Sequence, residues 1–180
     1  MGIFNKIKIW YYHNDLDWKI KHGLAQRGRT EGILNVTSGL KVKHIRNGKI
    51  IGERITNKVI TTAFVNYLVD SLQSTQSDWI NFKYHDSGTG TVGELSSNTT
   101  LGTPTGIARV VGTQIEGASP NIYKSVGTIT YNATFAITEH GLFNASTAGT
   151  LMDRSVFSAI NVVSGDKIEF TYEFTATAGG

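Results

Sequence analysis

The stretch from Lys167 to Thr175 constrains this chain more than any other, because Ile168, Phe170, Tyr172 and Phe174 alternate with Lys167, Glu169, Thr171, Glu173 and Thr175. Successive side chains of an extended strand point to opposite faces, so a period of two makes one apolar face for a core and one polar face for water. That is the pattern of an antiparallel sheet with one solvated face. It recurs from Thr128 to Thr138, where Ile129, Tyr131, Ala133, Phe135 and Ile137 are expected on one side of a single long strand. Leu40 and Val42, then His44 to Ile51 around Asn47-Gly48, predict a hairpin, since both central residues of a type I′ turn need positive φ. Further strands are expected at residues 79–85 and 107–115, and a buried strand or bend at 151–160.

One amphipathic helix is predicted near residues 60–73. Ile60, Phe64, Leu68 and Leu72 recur at every fourth position with Val65 and Val69 beside them, and this stripe should lie on a sheet. Many short strands with a single helix give a mainly β chain: an antiparallel β-sandwich or jelly-roll-like body over residues 40–180 and an extended N-terminal arm over residues 1–39. Residues 23–39, Gly-rich and polar without a period, are the expected flexible connection, and residues 88–106 read as a turn-rich surface loop carrying little core.

The net charge of +3 hides an asymmetry: residues 1–60 hold 12 Lys and Arg against 4 Asp and Glu, whereas residues 61–180 hold 5 against 10. An N-terminal segment of this kind is suited to an acidic surface or to the acidic body of a neighbouring copy. The basic residues are dispersed, which disfavours nucleic acid as the partner. Within the basic stretch Trp10, Tyr11, Tyr12 and Trp18 are expected contact anchors, with Lys19, Lys21, Arg27 and Arg29 as electrostatic guides for a partner surface. No apolar run approaches the roughly 20 residues that cross a bilayer, and no signal peptide opens the chain, so synthesis in a cytoplasm and no membrane association are expected. Met1-Gly2 lacks the Ser or Thr of a myristoylation signal, with Lys6 at that position.

Chemistry leaves little trace. There is no Cys, which removes disulfides, thiolate metal ligands and a thiol nucleophile together. Gly88-Thr89-Gly90-Thr91-Val92-Gly93 lacks the Gly-Lys-Ser/Thr ending of a phosphate loop. Asp86 and Glu94 bracket that run without a Ca²⁺-loop spacing. His13, His22, His44, His85 and His140 include no pair at metal-ligand spacing, although His85 and His140, the latter in Glu139-His140-Gly141, are retained as candidates. No nucleophile elbow is present. The expectation is a protein that is not an enzyme, with no catalytic residues, no cofactor and no metal.

Asn81-Phe82-Lys83-Tyr84-His85 leading into Gly88-Thr89-Gly90-Thr91, then Ile137-Thr138-Glu139-His140-Gly141-Leu142-Phe143, then Leu151-Met152-Asp153-Arg154-Ser155-Val156-Phe157, resemble small structural proteins of tailed-phage particles. Ile55-Thr56-Asn57-Lys58-Val59 before the helix fits the same likeness, which covers roughly residues 40–180. The resemblance implies a virion component, a decoration or cement protein on the exterior of the head shell. Its partners would be the major capsid protein and neighbouring copies of itself, with a trimer the favoured homo-oligomer. The alternative is a tail-associated or receptor-binding module in which the loop at 88–106, with Tyr84 and His85, faces a host glycan. A polysaccharide hydrolase using Asp86, Glu94 or Glu139 ranks third.

Overall fold

A computed structural model of the chain describes residues 33–73 and 79–179. In chain order the elements are β1 (Ile33–Arg46), β2 (Lys49–Asn57), β3 (Val59–Ile60), α1 (Thr62–Leu72), a 3-10 turn (Trp79–Asn81), β4 (Tyr84–Gly88), β5 (Val110–Val111), β6 (Thr113–Glu116), β7 (Ile122–Thr130), β8 (Phe135–Phe143), β9 (Leu151–Val162) and β10 (Lys167–Gly179). They form two five-stranded sheets, ordered β2-β1-β10-β7-β6 and β3-β9-β8-β4-β5. The protein is a β-sandwich, with one α-helix among the described residues. Thr37–Thr175 form one compact unit that carries the core, and the outer ends of β1 and β10 belong to a second.

The core follows from the alternation. Leu40, Val42, Ile129, Ile168 and Phe170 of the first sheet pack on Ile137, Ile160 and Val162 of the second, and every one of these is buried. A second cluster joins Phe64 and Tyr67 of α1 to Phe82, Leu142, Met152 and Tyr172. Asn47 and Gly48 turn the β1–β2 hairpin with φ of 50° and 74°, as the sequence leads one to expect.

Several expectations need correction. β1 begins at Ile33, so residues 33–39 are strand, not a flexible connection; β1 lies between β2 and β10, neighbours that composition alone could not reveal. The stripe on α1 is only half used: Phe64 and Tyr67 are buried, while Val65, Val69 and Leu72 face outward. Residues 79–81 form a 3-10 turn, and the strand starts at Tyr84 and continues to Gly88. The expected strand at 128–138 is two strands in different sheets, with Tyr131 at the corner donating to Asp166 O (2.9 Å) and accepting from Gly165 N (2.8 Å). Ile129, Tyr131 and Ile137 face the shared core, but Ala133, expected on the same side, is exposed in the corner, so the alternation is interrupted there and resumes in β8.

The expected strand at 107–115 likewise splits, Val110 pairing with β4 and Thr113 with β7. The chain changes sheets at Gly112, and only a residue without Cβ fits there: an added methyl would lie 2.5 Å from both His85 Nε2 and Ser125 Oγ. Gly127 closes the other side, where a Cβ would meet His85 Cδ2 at 2.5 Å. Together the two glycines form the slot that holds the His85 ring between the sheets.

Gly112→Ala is therefore expected to destabilise the fold by about 1–3 kcal/mol through overpacking. Urea unfolding of the variant against the parent measures this, and an unchanged midpoint would show that the slot is looser than described.

Candidate functional site

The sandwich interior holds a continuous chain of polar side chains. Lys58, between β2 and β3, touches the Asp153 carboxylate of β9, and both side chains are fully buried. On its other side Lys58 Nζ lies 2.8 Å from His140 Nδ1 on β8. His140 Nε2 is 2.9 Å from His85 Nδ1 on β4, and His85 Nε2 is 2.8 Å from Ser125 Oγ on β7. The chain thus runs across β9, β8 and β4 of one sheet and crosses to the other at Ser125.

The strands place these groups by simple register. His85 pairs with Leu142 and Ser87 with His140 on the β4–β8 ladder, and His140 pairs with Ser155 on β8–β9. Tyr172 on β10 supplies the roof, its ring 4.8 Å from Lys58 Nζ. Phe170 stacks on His140 at 4.4 Å between ring centres.

Donor counting gives the direction. A lysine has only donors, so His140 Nδ1 accepts, its Nε2–H donates to His85 Nδ1, and His85 Nε2–H donates to Ser125. This requires neutral imidazoles. Burial, reinforced by the Lys58 ammonium, pushes His85 down to about 3 and His140 well below its ordinary value, with His85 adding to the latter. Burial also lowers Lys58 and raises Asp153, each opposed by the other's charge.

A serine hydroxyl backed by histidine has the outline of a nucleophile with its base. Two features run against that use. Ser125, His85 and His140 have no solvent exposure at all, so an outside substrate meets none of them. Behind the histidines stands an ammonium where a triad has a carboxylate, and a cation there weakens the base it should strengthen.

A second buried cluster explains the glycine-rich run. Glu139 accepts from Gly90 N (2.9 Å), Thr103 N (2.7 Å) and Gly102 N (2.9 Å), and pairs with Arg154, whose Nε lies 2.8 Å from Oε2. Burial pushes its carboxyl up, but the amides of Thr103 and Gly102, Arg154 and the Gly90 amide together hold it below the usual value. A Cβ on Gly90 would sit 2.5 Å from Glu139 Oε1. The run at 88–93 therefore cradles a carboxylate of its own chain. The loop expected to carry little core is pinned from beneath, and Leu101 within it is buried.

The other candidates are accounted for similarly. Asp86, raised by burial and held down by Arg109, pairs with Arg109 (3.1 Å) and not with Glu94 across the loop. The Arg109 guanidinium lies 3.3 Å over the Phe143 ring. Asp166 anchors the β9–β10 turn, accepting from Arg46 Nε (2.8 Å) and pairing with His44 (2.9 Å), and Arg46 foremost holds its carboxyl low. His85 has no exposure, which removes it from any glycan-facing surface, while Tyr84 is half-buried. Trp10, Tyr11, Tyr12, Trp18, Lys19, Lys21, Arg27 and Arg29 lie outside the described residues.

Sequence reading singled out His85 and His140 but missed Lys58, Asp153 and Ser125. Asp153-Arg154 inside an otherwise apolar run was the available signal, since charges on a buried strand must find partners. The surface offers different material: Val65, Val69 and Leu72 on α1 and Ile50, Ile51 and Ile55 on the edge strand β2 are exposed. An apolar cavity of about 220 Å³ lies among Phe64, Trp79, Phe82, Tyr123, Met152 and Phe174. No family model, curated protein or solved structure matches the chain.

Two outcomes follow from the buried charges. The histidines bind protons in the unfolded chain near pH 6.5 but not in the folded one, so their stabilisation is complete above pH 6.5 and is lost as pH falls toward the folded values. At pH 5 this amounts to about 2 kcal/mol for His85, with His140 acting in the same direction, offset in part by protonation of Asp153, whose raised value works in the opposite sense. Urea midpoints at pH 7 and pH 5 measure the difference, and equal midpoints would contradict it. Glu139→Gln is expected to cost about 3–5 kcal/mol by leaving Arg154 buried without its counter-charge and to open residues 89–106 to limited proteolysis.

Proposed function

We propose that this chain is a non-enzymatic structural protein of a tailed-phage virion, a decoration or cement protein that binds the exterior of the head shell. It works by contact, with the major capsid protein and with neighbouring copies of itself as a homo-oligomer. The observation that carries the reading is the division of side chains between inside and outside. The groups with acid–base capacity in the core are sealed against one another, whereas apolar rows on α1 and β2 are turned outward. An outward row at Val65, Val69 and Leu72 follows the helical spacing of a surface meant to be covered.

The basic aromatic N-terminal segment supplies the attachment in this reading. Trp10, Tyr11, Tyr12 and Trp18 are the anchors, and Lys19, Lys21, Arg27 and Arg29 guide the encounter with an acidic shell surface. Many equal copies make weak contacts add up. The polar but largely uncharged composition, 17% charged, fits a surface that meets other surfaces.

Quantitative mass spectrometry of purified particles of the encoding phage, against the major shell protein, tests the proposal. Copies in the hundreds are expected. A handful would move the protein to the tail or neck and favour the receptor-binding alternative, and absence from the particle would overturn the virion reading. Deletion of residues 1–30 is expected to weaken binding to purified shells at least about tenfold, since a single aromatic anchor is worth about 2 kcal/mol. Unchanged binding would remove the segment from the attachment role.

A further inference from the structure

We propose that Lys58 and Asp153 are a self-reacting pair, which joins into an intramolecular amide between Lys58 Nζ and Asp153 Cγ once the sandwich has closed around them. A sealed interior that no substrate enters still permits a reaction between the chain's own groups. Lys58 and Asp153 are such groups: a primary amine in contact with a carboxyl, both side chains wholly buried.

The ladder holds the pair in place. Val59 pairs with Arg154 and Ile60 with Asp153, which sets Lys58 and Asp153 as diagonal neighbours on one face of β3–β9. Holding two reactants in fixed contact removes the entropic part of a bimolecular barrier. The surroundings supply the remaining parts. His140 Nδ1, 2.8 Å from Nζ, has its lone pair available because its proton is on Nε2, directed to His85. The Tyr172 ring, its centre 4.8 Å from Lys58 Nζ, closes the pair off on the side of the other sheet. Burial drives the amine and the carboxyl toward their neutral forms, the ones addition requires.

The step balances without an outside reagent. The Nζ lone pair of neutral Lys58 adds to Cγ of the protonated Asp153 carboxyl, forming the C–N bond. His140 Nδ1 accepts a proton from Nζ and returns it to the departing hydroxyl, the C–O bond breaks, and one water leaves. Nothing is oxidised or reduced. The product is a secondary amide, and the interior no longer holds an ion pair whose desolvation opposes folding. The bond would tie the crossover from β2 to β3 onto β9, so it links the end of one sheet's hairpin to the other sheet.

Intact mass spectrometry of the full-length protein under denaturing conditions decides the matter. The expected mass is lower than the sequence mass by one water. Trypsin is expected not to cut after Lys58, and fragmentation to find residues 58 and 153 in one branched peptide. Lys58→Ala and Asp153→Ala should each restore the full sequence mass. A parent protein at its full sequence mass would overturn the proposal whether or not the variants fold. So would a water lost within a single linear peptide, the signature of a cyclic imide.

Discussion

A lysine amino group in the middle of a β-sandwich sets the terms for much of this protein. An isolated charge there would cost many kcal/mol, so Lys58 is met on one side by Asp153 and on the other by a histidine with an open lone pair. That histidine needs a second acceptor, His85, which in turn needs Ser125 on the opposite sheet. The spacing of the sheets at this point follows from the ring of His85. Gly112 and Gly127 have no side chain because that ring occupies the space theirs would take. Aromatic faces complete the enclosure, Phe170 from one apolar cluster and Tyr172 from the other, so the polar chain lies between two apolar halves of the core.

The loops depend on the same device in simpler form. Glu139 and Asp166 each gather backbone amides or cations that the sheet ladders leave unpaired. A carboxylate that accepts several N–H groups is stabilised in its charged form and fixes the backbone around it. The long segment between β4 and β5 is held in this way although it contains no regular element of its own. Charged residues are scarce in this chain, and several of them serve the interior.

Period-two alternation made the strands legible, and the edges of the elements were not. At residues 128–138 the residue types keep a period of two across a corner where the chain leaves one sheet for the other and Ala133 is exposed, so the pattern gave no sign of the break. At residues 107–115 a single glycine moves the chain from one sheet to the other, and Gly112 carries no hydropathy signal that distinguishes it from a turn. On α1 the spacing identified the helix but not which of two adjacent apolar rows would be buried. Ridge contacts with Phe82 and Phe174 selected the row containing Phe64.

The amino-acid sequence by itself determined the mainly β class, the Asn47-Gly48 hairpin, the helix near residues 60–73 and most inward faces of the strands, because these depend on residue periods and on turn chemistry within a few positions. The polar interior was decided only by tertiary structure. Lys58, His85, Ser125, His140 and Asp153 are far apart in the chain and share no local spacing. They meet because strand order places β9, β8 and β4 side by side and sets β7 across from them. Burial then alters their proton affinities in ways that no neighbour in sequence could produce.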